Sequence, residues 1–170
     1  MIRTATPDDA QALAGLHASA WQQAHAGLLP PALLDALDTS TGADNWQRIL
    51  ADADNTTAVR LDQTADGELA GFASFGPSQD DDAAGHWGEI LAMYYSQRYW
   101  GHGRAAKLWE RVHEELTGAG YSRISLWVLF ENTRAIAFYR KHGFVFDGRE
   151  RTAAVRGATL REVRMVWAPA

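Results

Sequence analysis

The sequence contains no cysteine among its 170 residues. This absence excludes disulfide bonds, thiolate metal sites and a cysteine nucleophile, so any nucleophile must come from a substrate or from another residue type. The His, Asp and Glu residues do not show the spacing of a metal site either. We therefore expect no bound metal.

The sequence also lacks a long hydrophobic run and an excess of positive charge. No apolar stretch approaches the roughly 20 residues that span a bilayer, and the start, MIRTATPDDA, lacks the apolar segment of a secretory signal. The net charge of -5 argues against a general nucleic-acid binder, because Lys and Arg supply the sequence-independent part of that affinity. We expect a cytoplasmic protein with neither a membrane nor a nucleic-acid partner.

The residues that are present are typical of a globular protein. Hydrophobic residues make up 46% of the chain and charged residues 22%, and seven residues are Trp. A chain of this length buries a substantial core, so residues 1–170 are expected to form a single domain.

Local patterns predict a mixed α/β layered domain. Thr6, Pro7 and Asp9 form a helix-start signal after a short strand at residues 2–4. The next predicted elements are short helices within 27–37 and 42–52, a hairpin at 56–61 and 67–76, a mobile polar loop at 77–86 and a strand at 87–95. After these we expect a helix at 104–116, a strand alternating at Ile124, Leu126, Val128 and Phe130, and a helix from Asn132 to Gly143. Two closing strands, joined by a turn at residues 156–158, complete the predicted order.

A glycine-rich turn, YWGHGRA at residues 99–105, lies between a predicted strand and a predicted helix. Backbone N–H groups lack intrahelical partners there, and the helix dipole favours an anion. Gly101 and Gly103 would let a phosphate approach the backbone, and Arg98, His102 and Arg104 could add positive charge at the rim. Neither a Walker loop nor a Rossmann fingerprint fits, and a simple glycine turn is the alternative on these residues alone.

Two motifs together resemble the GNAT superfamily of acyl-CoA-dependent N-acetyltransferases. WGHGRA at residues 100–105 agrees with the family's Q/R-x-x-G-x-G/A loop except at its first position, which is Trp100. The pattern N-x-x-A-x-x-F-Y-x-x-x-G-F is present from Asn132 to Phe144. The resemblance implies a mixed, mostly antiparallel central sheet flanked by helices, with a splayed strand pair at the cofactor cleft.

The same resemblance implies how acetyl-CoA, the acyl donor, would bind. Loop amides would bind the pyrophosphate, residues 93–95 would hold the pantetheine arm and polarise the acetyl carbonyl, and Asn132 would contact pantetheine. Tyr139 would lie near the CoA sulfur and protonate the leaving thiolate. The implied cofactor-binding residues are Met93, Tyr94, Tyr95, Gly101, His102, Gly103, Arg104, Ala105, Ala106, Asn132 and Tyr139.

Direct attack by an amine also needs a group that removes its proton. Glu89, on the strand before the loop, is the best candidate base and could also attract the substrate's ammonium, although a solvent-facing glutamate is the alternative. His86 is the second candidate, because histidine titrates near neutrality. Trp21, His25 and Leu28 are candidate linings of the acceptor pocket, with core packing as the alternative, and Tyr94 and Trp127 could also face the cleft.

These residues predict an N-acetyltransferase that moves the acetyl group of acetyl-CoA to a primary amine of a small molecule or peptide. A non-catalytic CoA-binding regulatory module and an acyltransferase that uses another acyl-CoA are the alternatives. The closing strands could mediate a homodimer, although no residue pattern demonstrates an interface.

Overall fold

A seven-stranded sheet forms the centre of the fold. The computed structural model describes residues 1–35, 39–83, 85–155 and 158–169. The strands are β1 (Ile2–Thr4), β2 (Ala58–Gln63), β3 (Leu69–Pro77), β4 (Trp87–Tyr95), β5 (Arg123–Leu129), β6 (Val145–Val155) and β7 (Ala158–Trp167). Their order across the sheet is β1-β2-β3-β4-β5-β7-β6.

Helices cover both faces of this sheet. They are α1 (Ala10–His25), α2 (Pro31–Leu34), α3 (Thr39–Ala51), α4 (Arg104–Gly118) and α5 (Thr133–Lys141). The β4–β5 pair is parallel and the other neighbouring pairs are antiparallel. The prediction of a mixed, mostly antiparallel sheet flanked by helices is therefore confirmed. No helix in the described ranges is long and apolar enough to cross a membrane.

Local side-chain bonds explain where two of these helices begin. The Asp9 carboxylate accepts a hydrogen bond from Thr6 N (2.8 Å) and a bidentate pair from Arg3, which fixes the short 3₁₀ turn Pro7–Asp9 ahead of α1. Asn132 caps α5, because its side-chain oxygen accepts a bond from Ala135 N (3.1 Å).

The core has two main parts, one on each face of the sheet. On one face, α4 buries Leu108, Trp109, Val112 and Leu116, the side predicted from their helical spacing. On the other face, Leu13 of α1 and Trp46 of α3 pack on strand residues such as Phe72.

Three predictions about element boundaries need correction or comment. Strand β5 ends at Leu129, so the prediction of Phe130 as a strand residue is wrong. The chain turns after Leu129 because Asn132 N donates a hydrogen bond to Leu129 O (2.9 Å). The Phe130 side chain is exposed, and the Arg161 guanidinium lies over its ring. The helix predicted within 27–37 is only the four residues of α2, and its last two positions lie outside the described residues. Positions 156–157 of the predicted turn also lie outside them.

A bulge in β4 opens the sheet. Ser74 of β3 pairs with Ala92 and Phe75 pairs with Ile90, so Leu91 is an extra residue in β4. The pairing of β4 with β5 ends at the same point, at Ile90↔Leu126. Beyond this point β5 stays paired with β7 but no longer pairs with β4, so the second half of β4 diverges from β5. The predicted splayed strand pair is thus present.

Candidate active site

The gap between β4 and β5 is a cleft of about 570 Å³. Its walls come from the diverging strands, the glycine loop, α5 and the end of α1. Most of the residues predicted to bind cofactor or acceptor line it. They are Trp21, His25, Met93, Tyr94, Tyr95, Gly101, Gly103, Ala105, Ala106, Asn132 and Tyr139.

The glycine loop opens into one end of the cleft. Gly101 (φ 77°) and Gly103 (φ 75°) both have left-handed backbone, and Gly103 is the N-cap of α4. A Cβ added at either residue would meet nothing within 4 Å, so the space beside the loop is open. The free N–H groups of the first turn of α4 therefore border this space and could hold an anion.

The positive charge expected at the rim of this loop is largely neutralised by neighbouring carboxylates. Arg104 binds Asp62 through Nε (2.8 Å) and Nη2 (2.7 Å), and Tyr95 donates its hydroxyl to the same carboxylate. Arg98 forms an ion pair with Glu68. Neither Arg104 nor the exposed His102 is part of the cleft lining.

Trp100, the one residue that departs from the loop motif, has two defined contacts. Its Nε1 donates to Tyr95 O (2.9 Å), which ties the loop to the end of β4. The guanidinium carbon of Arg134 lies 3.2 Å from the centroid of the indole ring. Arg134 comes from α5 and lines the cleft, and burial lowers its pKa. Sequence reasoning did not assign Arg134 to the cofactor site, although its position two residues after Asn132 was a usable signal.

Tyr139 is buried in the cleft wall on α5. Only 8% of the residue is exposed, and the ring packs edge-on against Phe138 and Phe144. Burial, together with the neighbouring Tyr94, raises the pKa of Tyr139 above its usual value. The phenol is therefore protonated at neutral pH and can act as a proton donor.

Glu89 lies next to the cleft but does not line it. It is buried, and its Oε2 accepts hydrogen bonds from Gln79 N (2.8 Å) and Ser78 Oγ (3.2 Å). Burial raises its pKa, while the bond from Gln79 opposes that effect. It is paired with Ser125 in the sheet and so faces the same side as Trp127, which does line the cleft. His86 is exposed in the turn before β4 and is not part of the lining.

The part of the cleft wall that comes from α1 is aromatic. Trp21 and His25 of α1 lie there with their ring centroids 4.8 Å apart, and His25 Nδ1 donates to Trp21 O (2.8 Å). Burial lowers the pKa of His25, so its ring is neutral at pH 7. Leu28 is exposed and does not line this cleft.

Two residues of β7 were missed by sequence reasoning. Glu162 lines the cleft and accepts a hydrogen bond from Arg151 Nε (2.6 Å). Arg164 is 3% exposed and binds the carboxylates of Asp80, Asp82 and Asp147. Alternation along β7 puts residues 160, 162 and 164 on one face, which was the available signal.

The Arg164 ion pairs change the interpretation of the acidic run. The loop was predicted to be mobile, but Asp80 and Asp82 attach it to β7, and Asp80 also accepts from Trp127 Nε1 (3.0 Å). The loop therefore covers Glu89 and positions the Trp127 ring at the cleft. Within the ranges that the structure describes, no group of three or more His, Asp or Glu side chains could hold a metal ion.

Comparisons with known proteins agree with this geometry. The model of the acetyltransferase (GNAT) family matches residues 19–144. The chain is 27% identical to the uncharacterized N-acetyltransferase YuaI of Bacillus subtilis (strain 168), over 98% of this chain and 91% of that relative. It is 28% identical to the probable N-acetyltransferase Rv2775 of Mycobacterium tuberculosis, over 87% and 81% respectively. The crystal structure of PaiA N-acetyltransferase from Thermoplasma acidophilum, a complex with coenzyme A, has the same fold (TM-score 0.79, 16% identity, 99% and 98% coverage).

Proposed function

Because the chain belongs to the GNAT family of acetyltransferases, we propose that it moves the acetyl group of acetyl-CoA to a primary amine by direct attack in a ternary complex. The observation that carries the proposal is the open cleft between β4 and β5, which has the glycine loop at one end and Tyr139 in its wall. The acceptor is the amine of a small molecule or peptide.

The donor's pyrophosphate binds to the backbone amides from Gly101 to Ala106, at the start of α4. Support comes from the left-handed glycines, from the open space beside them, and from the cleft-lining cations Arg134 and Lys141 on α5. The PaiA neighbour, a coenzyme A complex, further supports a CoA donor. When bound, acetyl-CoA supplies an activated thioester.

The pantetheine arm lies along β4 beyond the bulge. Among the described residues, no strand pairs with the backbone edge of residues 91–94 that faces β5, so its N–H and C=O groups are available to pantetheine amides. An N–H group from this edge also polarises the acetyl carbonyl, as an oxyanion hole does. Asn132 contributes at the start of α5, where it lines the cleft.

Protons move at two residues in this proposal. The amine nitrogen forms a bond to the acetyl carbon, the C–S bond breaks, and Tyr139 donates its proton to the departing thiolate. Glu89 accepts the proton lost by the amine through water, and its raised pKa makes it a stronger proton acceptor than an ordinary glutamate. His86 is a weaker candidate because it is exposed to solvent in the turn before β4.

Thermal unfolding with a panel of ligands tests the donor. A ligand that binds only the folded protein raises its melting temperature. Acetyl-CoA and CoA should raise it, while ATP and NAD should have little effect. Stabilisation by ATP or NAD without stabilisation by either CoA species would refute the proposal. Including succinyl-CoA tests acyl preference, since stronger stabilisation and turnover with that donor would favour another acyltransferase.

A further inference from the structure

The ionisable side chains that line the cleft are separated by sign. Arg134 and Lys141 are on α5. Glu162 is on β7 and is the single carboxylate among the described residues of the lining. A cleft with cations on one wall and a carboxylate on another can attract an anionic donor and a cationic acceptor to different places.

Apart from its ion pair with Arg151, Glu162 lies among apolar and aromatic residues. It pairs with Leu129 in the sheet, beyond the point where β4 leaves β5. Leu129 packs with Trp21 and Leu160, and all three line the cleft. Tyr94 forms part of the same lining from β4. A carboxylate held among such groups favours an ammonium attached to an apolar body.

Arg151 indicates that a cation fits between Glu162 and the Trp127 ring. Its Nε donates to Glu162 Oε2 (2.6 Å), and its guanidinium carbon lies 4.4 Å from the centroid of Trp127. The Arg151 side chain is 48% exposed, so its ion pair with Glu162 is weakened by water and can be exchanged. The aromatic face and the carboxylate together form a cation site that the protein's own guanidinium borders.

We propose, on the basis of the function proposed above, that Glu162 binds the ammonium of the acceptor and that the acceptor is a compact primary amine with an apolar or aromatic body. Glu162 acts as a specificity residue that places the amine before its proton is removed. A polyamine would bring a second ammonium for which the described lining offers no second carboxylate. An amino acid would bring its carboxylate close to Glu162.

Steady-state kinetics with three amines test this assignment: 2-phenylethylamine, phenylalanine, which adds a carboxylate to it, and spermidine. The wild-type protein should prefer 2-phenylethylamine. Glu162→Gln should raise the KM for that amine by about tenfold or more, as expected for loss of a charge-assisted hydrogen bond, and leave the KM for acetyl-CoA unchanged. The matched control Glu150→Gln removes an exposed carboxylate that pairs with Arg161 on the same hairpin, and it should change neither KM.

Arg151→Gln gives a second test, in which the direction of the change in KM decides the outcome. Removing this guanidinium leaves Glu162 free for the substrate, so the KM for 2-phenylethylamine should fall. A higher KM, an unchanged KM in Glu162→Gln, or a preference for phenylalanine or spermidine would overturn the inference while acetyl transfer stands. If acetyl-CoA neither stabilises the wild-type protein nor releases CoA with any amine, the proposed function fails and the inference fails with it.

Discussion

At the residue scale, Tyr139 and Glu89 have different relations to the cleft although burial raises the pKa of both. Tyr139 lines the cleft, whereas Glu89 is outside the lining and accepts hydrogen bonds from Ser78 and Gln79 of the loop that carries Asp80. We therefore expect replacement of Tyr139 to change kcat and replacement of Glu89 to change the pH dependence of kcat/KM.

Replacing Tyr139 with Phe removes the proposed acid and keeps the ring packing. We expect kcat to fall about 100-fold, within the usual range for general acid catalysis, with little change in acetyl-CoA affinity. Tyr121→Phe, which removes a hydroxyl outside the cleft lining, is the control and should keep wild-type kcat. Steady-state kinetics and calorimetric titration give the two quantities. An unchanged kcat in Tyr139→Phe would remove Tyr139 from the acid role.

Replacing Glu89 with Gln should alter two pH profiles. If Glu89 is the base, kcat/KM of the wild-type protein falls on the acid side of its raised pKa, and the variant loses this acid limb. A carboxyl whose pKa is raised by folding contributes stability that is full below its unfolded pKa and is lost as pH rises through its folded pKa. Gln mimics the neutral form, so the melting temperature of the variant should equal or exceed that of the wild type at neutral pH.

The comparison must be repeated in acid, where the difference in melting temperature between the two proteins should shrink. An acid limb that persists unaltered in Glu89→Gln would transfer the base role to another group or to water.

At the scale of elements, the cleft depends on three features: the bulge at Leu91, the left-handed loop before α4, and the Arg164 ion pairs that fix the loop over Glu89. Their predictability from sequence differs. The helix faces and the Asn132 cap followed from local spacing, because residues three or four apart share a helix face. The bulge and the Arg164 ion pairs did not, because both depend on partners far away along the chain.

The same distinction applies to the candidate site. The motif residues from Asn132 to Tyr139 were predicted from their resemblance to the family's motif, and the predicted loop and strand residues other than His102 and Arg104 line the cleft. Glu162 was missed because its position opposite Leu129 is set by the pairing of β5 with β7. Trp100 was recognised as a departure from the motif, but its contacts with Tyr95 and Arg134 depend on tertiary structure.

Gly103→Ala tests the anion cradle. An alanine in the left-handed conformation costs about 1–2 kcal/mol, so the variant should lose that much unfolding free energy and also bind acetyl-CoA more weakly. Gly120→Ala is a matched control, because Gly120 also has positive φ (93°) and open space around it but lies outside the cleft lining. It should lose similar stability and keep its acetyl-CoA affinity. Equal affinities in the two variants would contradict a role of the loop in binding.

Arg164→Met tests the attachment of the loop to β7. Removing the buried guanidinium takes charge-assisted hydrogen bonds away from aspartates that water still reaches in part, and we expect a loss of about 2–3 kcal/mol in urea unfolding. Arg161→Met, on the same strand but exposed, should lose far less. The Arg164 ion pair also lowers the pKa of Asp82 to about 2, so this stabilisation should be present above the usual aspartate pKa and be lost as pH falls towards 2. Similar losses in the two variants would show that the ion pairs contribute little.

At the scale of the whole molecule, a net charge of -5 coexists with a cleft that has cations along α5 and a carboxylate on β7. The net charge of the chain is therefore a poor guide to the charge of the ligand, and the positions of the cations and the carboxylate within the cleft are a better one. The single domain over residues 1–170, the cytoplasmic location and the homodimer stay predictions.

The most direct test of the central claim is amine-dependent release of CoA. The protein has no cysteine, so a chromogenic thiol reagent reports only the CoA produced from acetyl-CoA. With the wild-type protein and an amine panel, we expect thiol release that requires both protein and amine, with an equal amount of acetylated amine by mass spectrometry. Acetyl-CoA that binds to the protein without releasing thiol with any amine would contradict the account and identify the chain as a CoA-binding module.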